Sequence, residues 1–221
     1  MRDVYKVKAY NQGSTNSCSS NAISNQINVI LQEMRLKIEP SRQFIYFNSL
    51  LEDRDKEGTK RPIEDIGASL KSCYEALHKY KFCEEKYHVF DDKNILKFPD
   101  NTAYINAHEN NLITSYRYIC PSIYSFKYIL SELHRPIVFG MAVYTAFENL
   151  NKDAYVLNKP SEHEAYLGLH GVLAIGYDDT DQCMIVCNSH GSDFGLFGFF
   201  KMKYEHILDP NLCFEFWTIN T

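Results

Sequence analysis

Leu169-His170-Gly171-Val172-Leu173-Ala174-Ile175-Gly176-Tyr177, followed after the turn Asp178-Asp179-Thr180-Asp181 by Met184-Ile185-Val186-Cys187-Asn188, decides how this chain folds. Two short apolar runs rich in β-branched residues and joined by an acidic turn read as paired antiparallel strands. That pairing makes His170, at the head of the first strand, and Asn188, at the end of the second, neighbours. Tyr116–Cys120, Ile137–Val143, Gly198–Met202 and Phe214–Ile219 are further runs of the same kind, with one helix expected at Ser125–Leu133.

Upstream the periodicity changes. Ile23, Ile27, Ile30, Leu31 and Met34 recur at helical spacing without an intervening Gly or Pro, which predicts a helix from about Ser17 to Lys37 with Cys18 at its N-terminus. The polar run Asn11–Ser17 before it reads as a loop. Further helices are expected at about Ser41–Leu51 and Ser69–Lys79, with the charged stretch Glu52–Pro62 as exposed loop. Between Tyr87 and Ala107 a turn at Pro99-Asp100-Asn101 and one more helix are expected. Helices early and antiparallel strands late make an α+β fold, a single domain of two lobes, 1–114 mainly helical and 115–221 mainly β.

At 221 residues, 45% hydrophobic and 23% charged, the whole chain is expected to fold. A net charge of −5 with scattered basic residues gives no electrostatic support to a nucleic-acid or anionic-membrane partner. No run of eighteen apolar residues occurs, and Met1-Arg2-Asp3 opens no apolar leader, so neither a transmembrane span nor a cleaved signal is expected. Seven cysteines without a CxxC pair suit a reducing, cytoplasmic setting. Cys73, Cys183, Cys187 and Cys213 fall on apolar faces and read as core. Cys83, His78 and His88 lack the close paired spacing of zinc ligands, so no metal or organic cofactor is expected. His163 and His206 read as solvated.

A thiol attacks as thiolate, and a helix N-terminus and an adjacent imidazolium both favour that form. Cys18 has the first, and His170 is the candidate for the second, with the Asn188 side-chain oxygen able to hold the other ring nitrogen. The Cys18 backbone N–H and the Gln12 side-chain amide are candidate donors to an oxyanion.

Three blocks carry a family resemblance: Gln12-Gly13-x-x-x-Ser17-Cys18, His170-Gly171-Val172-Leu173-Ala174-Ile175-Gly176-Tyr177, and Asn188-Ser189-His190-Gly191-x-x-x-Gly195-x-x-Gly198-Phe199. In order and spacing they resemble the signature blocks of papain-like cysteine peptidases, most closely the compact microbial and viral branch. Pro40-Ser41-Arg42-x-Phe44, Pro136-Ile137-Val138-Phe139-Gly140 and Asp209-Pro210-Asn211-Leu212 add to the likeness. The resemblance implies a helical lobe and an antiparallel β-barrel lobe with the active site in the cleft between them, a peptide or protein substrate, and Gly67 and Ala68 pairing with substrate backbone. It implies peptide hydrolysis through a Cys18 thioester with His170 as base and Asn188 as orienter. Two alternatives stay open: an acyl transferase or peptide ligase of the same fold, and a catalytically silent binding module.

Some positions depart from the family pattern. Ser19, His190 and Phe194 stand where relatives carry tryptophan, which implies a wetter His170–Asn188 contact and weaker or pH-shifted activity. Thr15 stands where secreted relatives have a disulfide cysteine, and the seventeen residues before Cys18 are too few for the inhibitory prosegment of many family members, so either control from elsewhere or a prosegment already lost is expected.

Overall fold

The computed structural model describes residues 6–110, 112–113 and 115–220; the expectation of no apolar leader at the very start falls outside them. The chain forms two compact units. One is Gln12–Arg117 with the final residues from Ile219, and the other is the stretch up to Asn11 with Tyr118–Thr218.

The first unit is helical: α1 (Cys18–Glu33), α2 (Arg42–Lys56), α3 (Leu70–Tyr80) and α4 (Asn101–Glu109), with single 3₁₀ turns at Glu85–Tyr87 and Asp92–Asn94. Three helices start on side-chain caps. Ser41 accepts from Phe44 N at 3.1 Å, Ser69 from Ser72 N at 3.0 Å and Asp100 from Ala103 N at 2.9 Å, each contributing about 1 kcal/mol. The expected turn at Pro99-Asp100-Asn101 is therefore a helix start. The core of this unit includes Phe44, Cys83, Ala103 and Ala107 in one cluster and Tyr46, Leu50 and Ile95 in another.

Two boundaries differ from expectation. The charged residues Glu52–Lys56, expected in a loop, are the last turns of α2, because nothing breaks the helix before Gly58 and a solvated helix face tolerates charge. Conversely, α1 stops at Glu33, short of Lys37. Arg35 adopts φ 57°, its N–H reaches Gln32 O at 2.9 Å, and Leu36 N–H reaches Leu31 O at 2.8 Å. This is the left-handed Schellman ending, which glycine adopts without strain and arginine does not.

The second unit is built on most of a sheet of strands β1 (Ser115–Tyr118), β2 (Ile137–Tyr144), β3 (Val156–Leu157), β4 (Tyr166–Asp178), β5 (Cys183–Cys187), β6 (Phe199–Lys203) and β7 (Cys213–Asn220), of which β1 up to Arg117 and β7 from Ile219 count with the first unit. Their order is β1-β7-β2-β4-β5-β6-β3. Helices α5 (Ile123–Ser131), α6 (Thr145–Glu148) and α7 (Tyr204–Ile207) complete it; α6, α7 and the two-residue β3 are too short to leave a periodic signal. The implied antiparallel barrel is corrected on two points. Among the described residues the sheet is open, with β1 and β3 as its outer strands, and β3 runs parallel to β6.

Register follows from alternation. Phe139 and Met141 of β2, Val172 and Ala174 of β4, Met184 and Val186 of β5, and Phe200 and Met202 of β6 all enter one core with Phe126 and Leu130 of α5, as a period of two requires. Phe126 and Phe139 meet Phe216 of β7 at ring separations of 4.7 and 5.3 Å. Leu173 and Ile175, on the opposite face of β4, are buried too, which explains the unbroken apolar run. His206, expected in solvent, is buried on α7 and donates from Nδ1 to Asn158 O at 2.9 Å. No described helix is long and apolar enough to cross a membrane.

Arg35→Gly is expected to raise the stability of the protein by about 0.5–1 kcal/mol, since the exposed side chain contributes little packing and glycine removes the left-handed strain. Thermal or denaturant unfolding measures it; an unchanged or lower midpoint would contradict the reading of this helix end.

Candidate active site

In the helical unit, Cys18 is the first residue of α1 and lies at its positive dipole end. The loop before it is a closed hydrogen-bonded turn. Gln12 Nε2 donates to Thr15 O at 2.6 Å, Thr15 Oγ1 donates to Gln12 O at 2.7 Å, and Thr15 Oγ1 also lies 2.7 Å from Ser17 Oγ. Asn21 Nδ2 donates to Ser17 O at 2.8 Å, and Arg42 Nη1 donates to Asn21 Oδ1 at 2.8 Å. Gln12 and Cys18 thus belong to one turn anchored from α2 and closed by the Thr15 hydrogen bonds.

Gly67 lies in the same unit with φ +85°, and a Cβ added there would stand 3.7 Å from Asn16 O. Its N–H donates to Tyr46 Oη at 3.1 Å, and Ala68 packs against the Tyr46–Leu50–Ile95 cluster. Ser19 is buried and accepts from Cys73 Sγ at 3.3 Å. Burial pushes the Cys73 thiol up to about 12, so this sulfur stays protonated.

In the sheet unit, His170 and Asn188 meet: Nε2 lies 2.7 Å from Asn188 Oδ1. The register explains why. Leu173 pairs with Cys187, and carrying that pairing outward puts Asn188 opposite Val172. His170 is two residues from Val172 and therefore on the same face, at the diagonal spacing that long side chains bridge. The Asn188 N–H donates to Gly198 O at 2.9 Å, which fixes the strand end. An amide oxygen can only accept, so Nε2 carries the proton and Nδ1 is the ring's basic atom. Burial lowers the His170 pKa and the Asn188 bond partly offsets this, so the imidazolium needs a negative partner to persist.

Aromatic rings surround this pair. Phe147 of α6 lies 5.7 Å from the His170 ring, 4.9 Å from Phe194 and 5.4 Å from Phe200. The same register carried further puts His190 opposite His170, with ring centroids 5.0 Å apart. Both His170 and Asn188 are buried, and Phe147 packs against the His170 ring. Nothing in the sequence marked Phe147, which sits on a four-residue helix. Among the described residues no group of His, Cys, Asp or Glu is disposed to hold a metal.

Residues 54–213 match the family model described as papain family cysteine protease. The chain belongs to that family. The matched segment contains His170 and Asn188 and begins after Cys18. An uncharacterized peptidase C1-like protein of Acanthamoeba polyphaga mimivirus is 31% identical over 218 residues, covering 94% of this chain and 68% of that protein. The structure of xylellain, a cysteine protease from Xylella fastidiosa, is similar with a TM-score of 0.86 and 30% identity over 97% of this chain and 82% of that one. The bromelain protease of Ananas comosus shares the fold, with a TM-score of 0.72 at 17% identity over 99% and 96% of the two chains. Among the rings around His170, that of His190 has the clearest physical consequence.

His190 keeps solvent exposure, yet packing against Phe147 and Phe194 and the neighbouring His170 push its pKa down to about 4, opposed by Glu148. A histidine that is harder to protonate folded than unfolded destabilises the fold as pH falls from about 6.5 toward 4. His190→Trp is expected to remove this loss, a gain of at most about 1 kcal/mol at pH 4 given solvent screening, with none at pH 7. Melting temperatures of both proteins across that range measure it; parallel curves would contradict it.

Proposed function

We propose that this papain-family protein is a peptidase that hydrolyses peptide bonds with Cys18 as nucleophile, His170 as base and acid, and Asn188 as orienter. The observation that carries the proposal is the buried 2.7 Å bond from His170 Nε2 to Asn188 Oδ1, which commits Nδ1 to proton transfer. Cys18 at the N-terminus of α1 supports it from the other unit.

In this reading the Cys18 thiolate attacks the substrate carbonyl carbon and the oxyanion is held by the Cys18 N–H and the Gln12 side-chain amide. Collapse expels the amine, which takes a proton from His170 Nδ1, and leaves a thioester. The neutral imidazole then takes a proton from water, which attacks the thioester; the returning thiolate and imidazolium complete the cycle. Gly67 and Ala68 contact the substrate backbone, and the substrate is a peptide or protein.

A thiol-directed epoxide is expected to label Cys18 stoichiometrically, shown by peptide mapping, while Cys18→Ala abolishes turnover of a fluorogenic peptide library and His170→Ala lowers it at least about 10²-fold. His190→Trp moves the acid limb of the pH–rate profile to higher pH, because a positive charge beside His170 makes its imidazole harder to protonate and the variant removes that charge. An unlabelled Cys18 together with equal turnover by wild type and Cys18→Ala would overturn the proposal.

A further inference from the structure

Asp65 ties together two segments that the sequence separates by 49 positions. Its Oδ1 accepts from Asn16 N at 3.0 Å, and its backbone oxygen accepts from Asn16 Nδ2 at 2.6 Å. The same Oδ1 accepts from the Tyr46 hydroxyl, which in turn accepts from Gly67 N at 3.1 Å. Asn16 is two residues before Cys18, and Asp65 is two residues before Gly67. One carboxylate and one phenol therefore hold the approach to the helix that begins at Cys18 and the backbone at Gly67.

Tyr46 suits this role. It is fully buried in α2, and burial together with the Asp65 carboxylate keeps its hydroxyl protonated far above any working pH. It is thus a permanent donor to Asp65 and a permanent acceptor for Gly67, in a buried site where an unmade hydrogen bond is costly. Gly67 has a left-handed φ that places its N–H on the Tyr46 oxygen, so its own backbone oxygen and the following residue are oriented by the same contact.

We propose that Asp65 and Tyr46 are positioning residues that hold the Cys18 loop and the Gly67 backbone in one fixed geometry, so that nucleophile and substrate-backbone contacts are set together. Neither residue touches the reacting atoms. The inference rests on the peptidase reading of Cys18 and Gly67. It makes Asp65 a determinant of kcat through Asn16, and Tyr46 a determinant of KM through Gly67.

The test uses the whole protein with the variants D65A, D65N and Y46F, measuring amide hydrogen exchange at Asn16 and Gly67 alongside steady-state kinetics on a fluorogenic peptide. In D65A exchange at both amides is expected to accelerate about tenfold or more, kcat to fall about tenfold, and KM to rise. D65N keeps an acceptor oxygen and is expected to recover kcat to within about threefold. Y46F is expected to raise KM with kcat nearly unchanged and to speed exchange at Gly67 alone. Unchanged exchange in folded D65A would overturn the clamp, and faster exchange with unaltered kcat and KM would overturn its positioning role. If D65A does not fold, Y46F decides, since it removes a single oxygen. A wild type that neither turns over peptide nor is labelled at Cys18 defeats the peptidase reading, and the exchange data then judge the clamp on their own.

Discussion

A helix buried on nearly every side and lined with polar residues has one constraint above others: each polar group must find its partner inside the protein. Helix α1 is such a helix, with Ser19, Ser20, Asn21, Asn25, Gln26 and Asn28 all buried beside Ile23, Ile27 and Ile30, while the buried Ser24 hydroxyl is its exception and has no partner among the described residues. Its partners come from named places. Arg42 on α2 reaches Asn21, Tyr74 on α3 gives its hydroxyl to Gln26 at 2.7 Å, and Cys73 faces Ser19. Apolar contacts alone would let the helix rotate or slide; hydrogen bonds at defined positions do not. The direction in which Cys18 leaves the helix start is a product of that pairing.

The sheet unit achieves a comparable result by register. A slip of one residue between β4 and β5 would turn His170 away from Asn188 and send Val172 and Ala174 out of the core at the same time. Packing and chemistry are thus enforced by a single alignment, with Phe139, Met141, Met184 and Val186 holding it. The His170–Asn188 bond needs no special device beyond the strand pairing, the anchored Asn188 N–H and the aromatic cover from Phe147.

Much of this was legible in the sequence because it is periodic or punctuated. The helical spacing of Ile23, Ile27 and Ile30, the Ser-capped starts of α2 and α3, and the apolar runs of β2, β4 and β5 all leave local signals. What stayed hidden has non-local causes. The end of α1 is made by a left-handed arginine, a conformation that residue type does not announce. The open sheet depends on strand order, and the parallel β3 is two residues long. Of the candidate residues, His170, Asn188, Gln12 and Cys18 stood in recognisable blocks. Phe147, Tyr46 and Asp65 did not, because their contacts are made only by what the fold brings beside them.

The seven cysteines acquire a different meaning once their surroundings are known. All are unbridged, and five of them, Cys73, Cys83, Cys183, Cys187 and Cys213, are buried. Burial raises the pKa of Cys73, Cys83, Cys183 and Cys213, which keeps those sulfurs as thiols. The turn before Cys18 is closed by Thr15 and tethered by Asp65 without sulfur, so its shape does not depend on the thiol–disulfide balance of the surroundings. An oxidant arriving from solvent therefore meets the partly exposed Cys18 and the exposed Cys120 first, and the protein's oxidation chemistry begins at those two atoms while its framework is left intact.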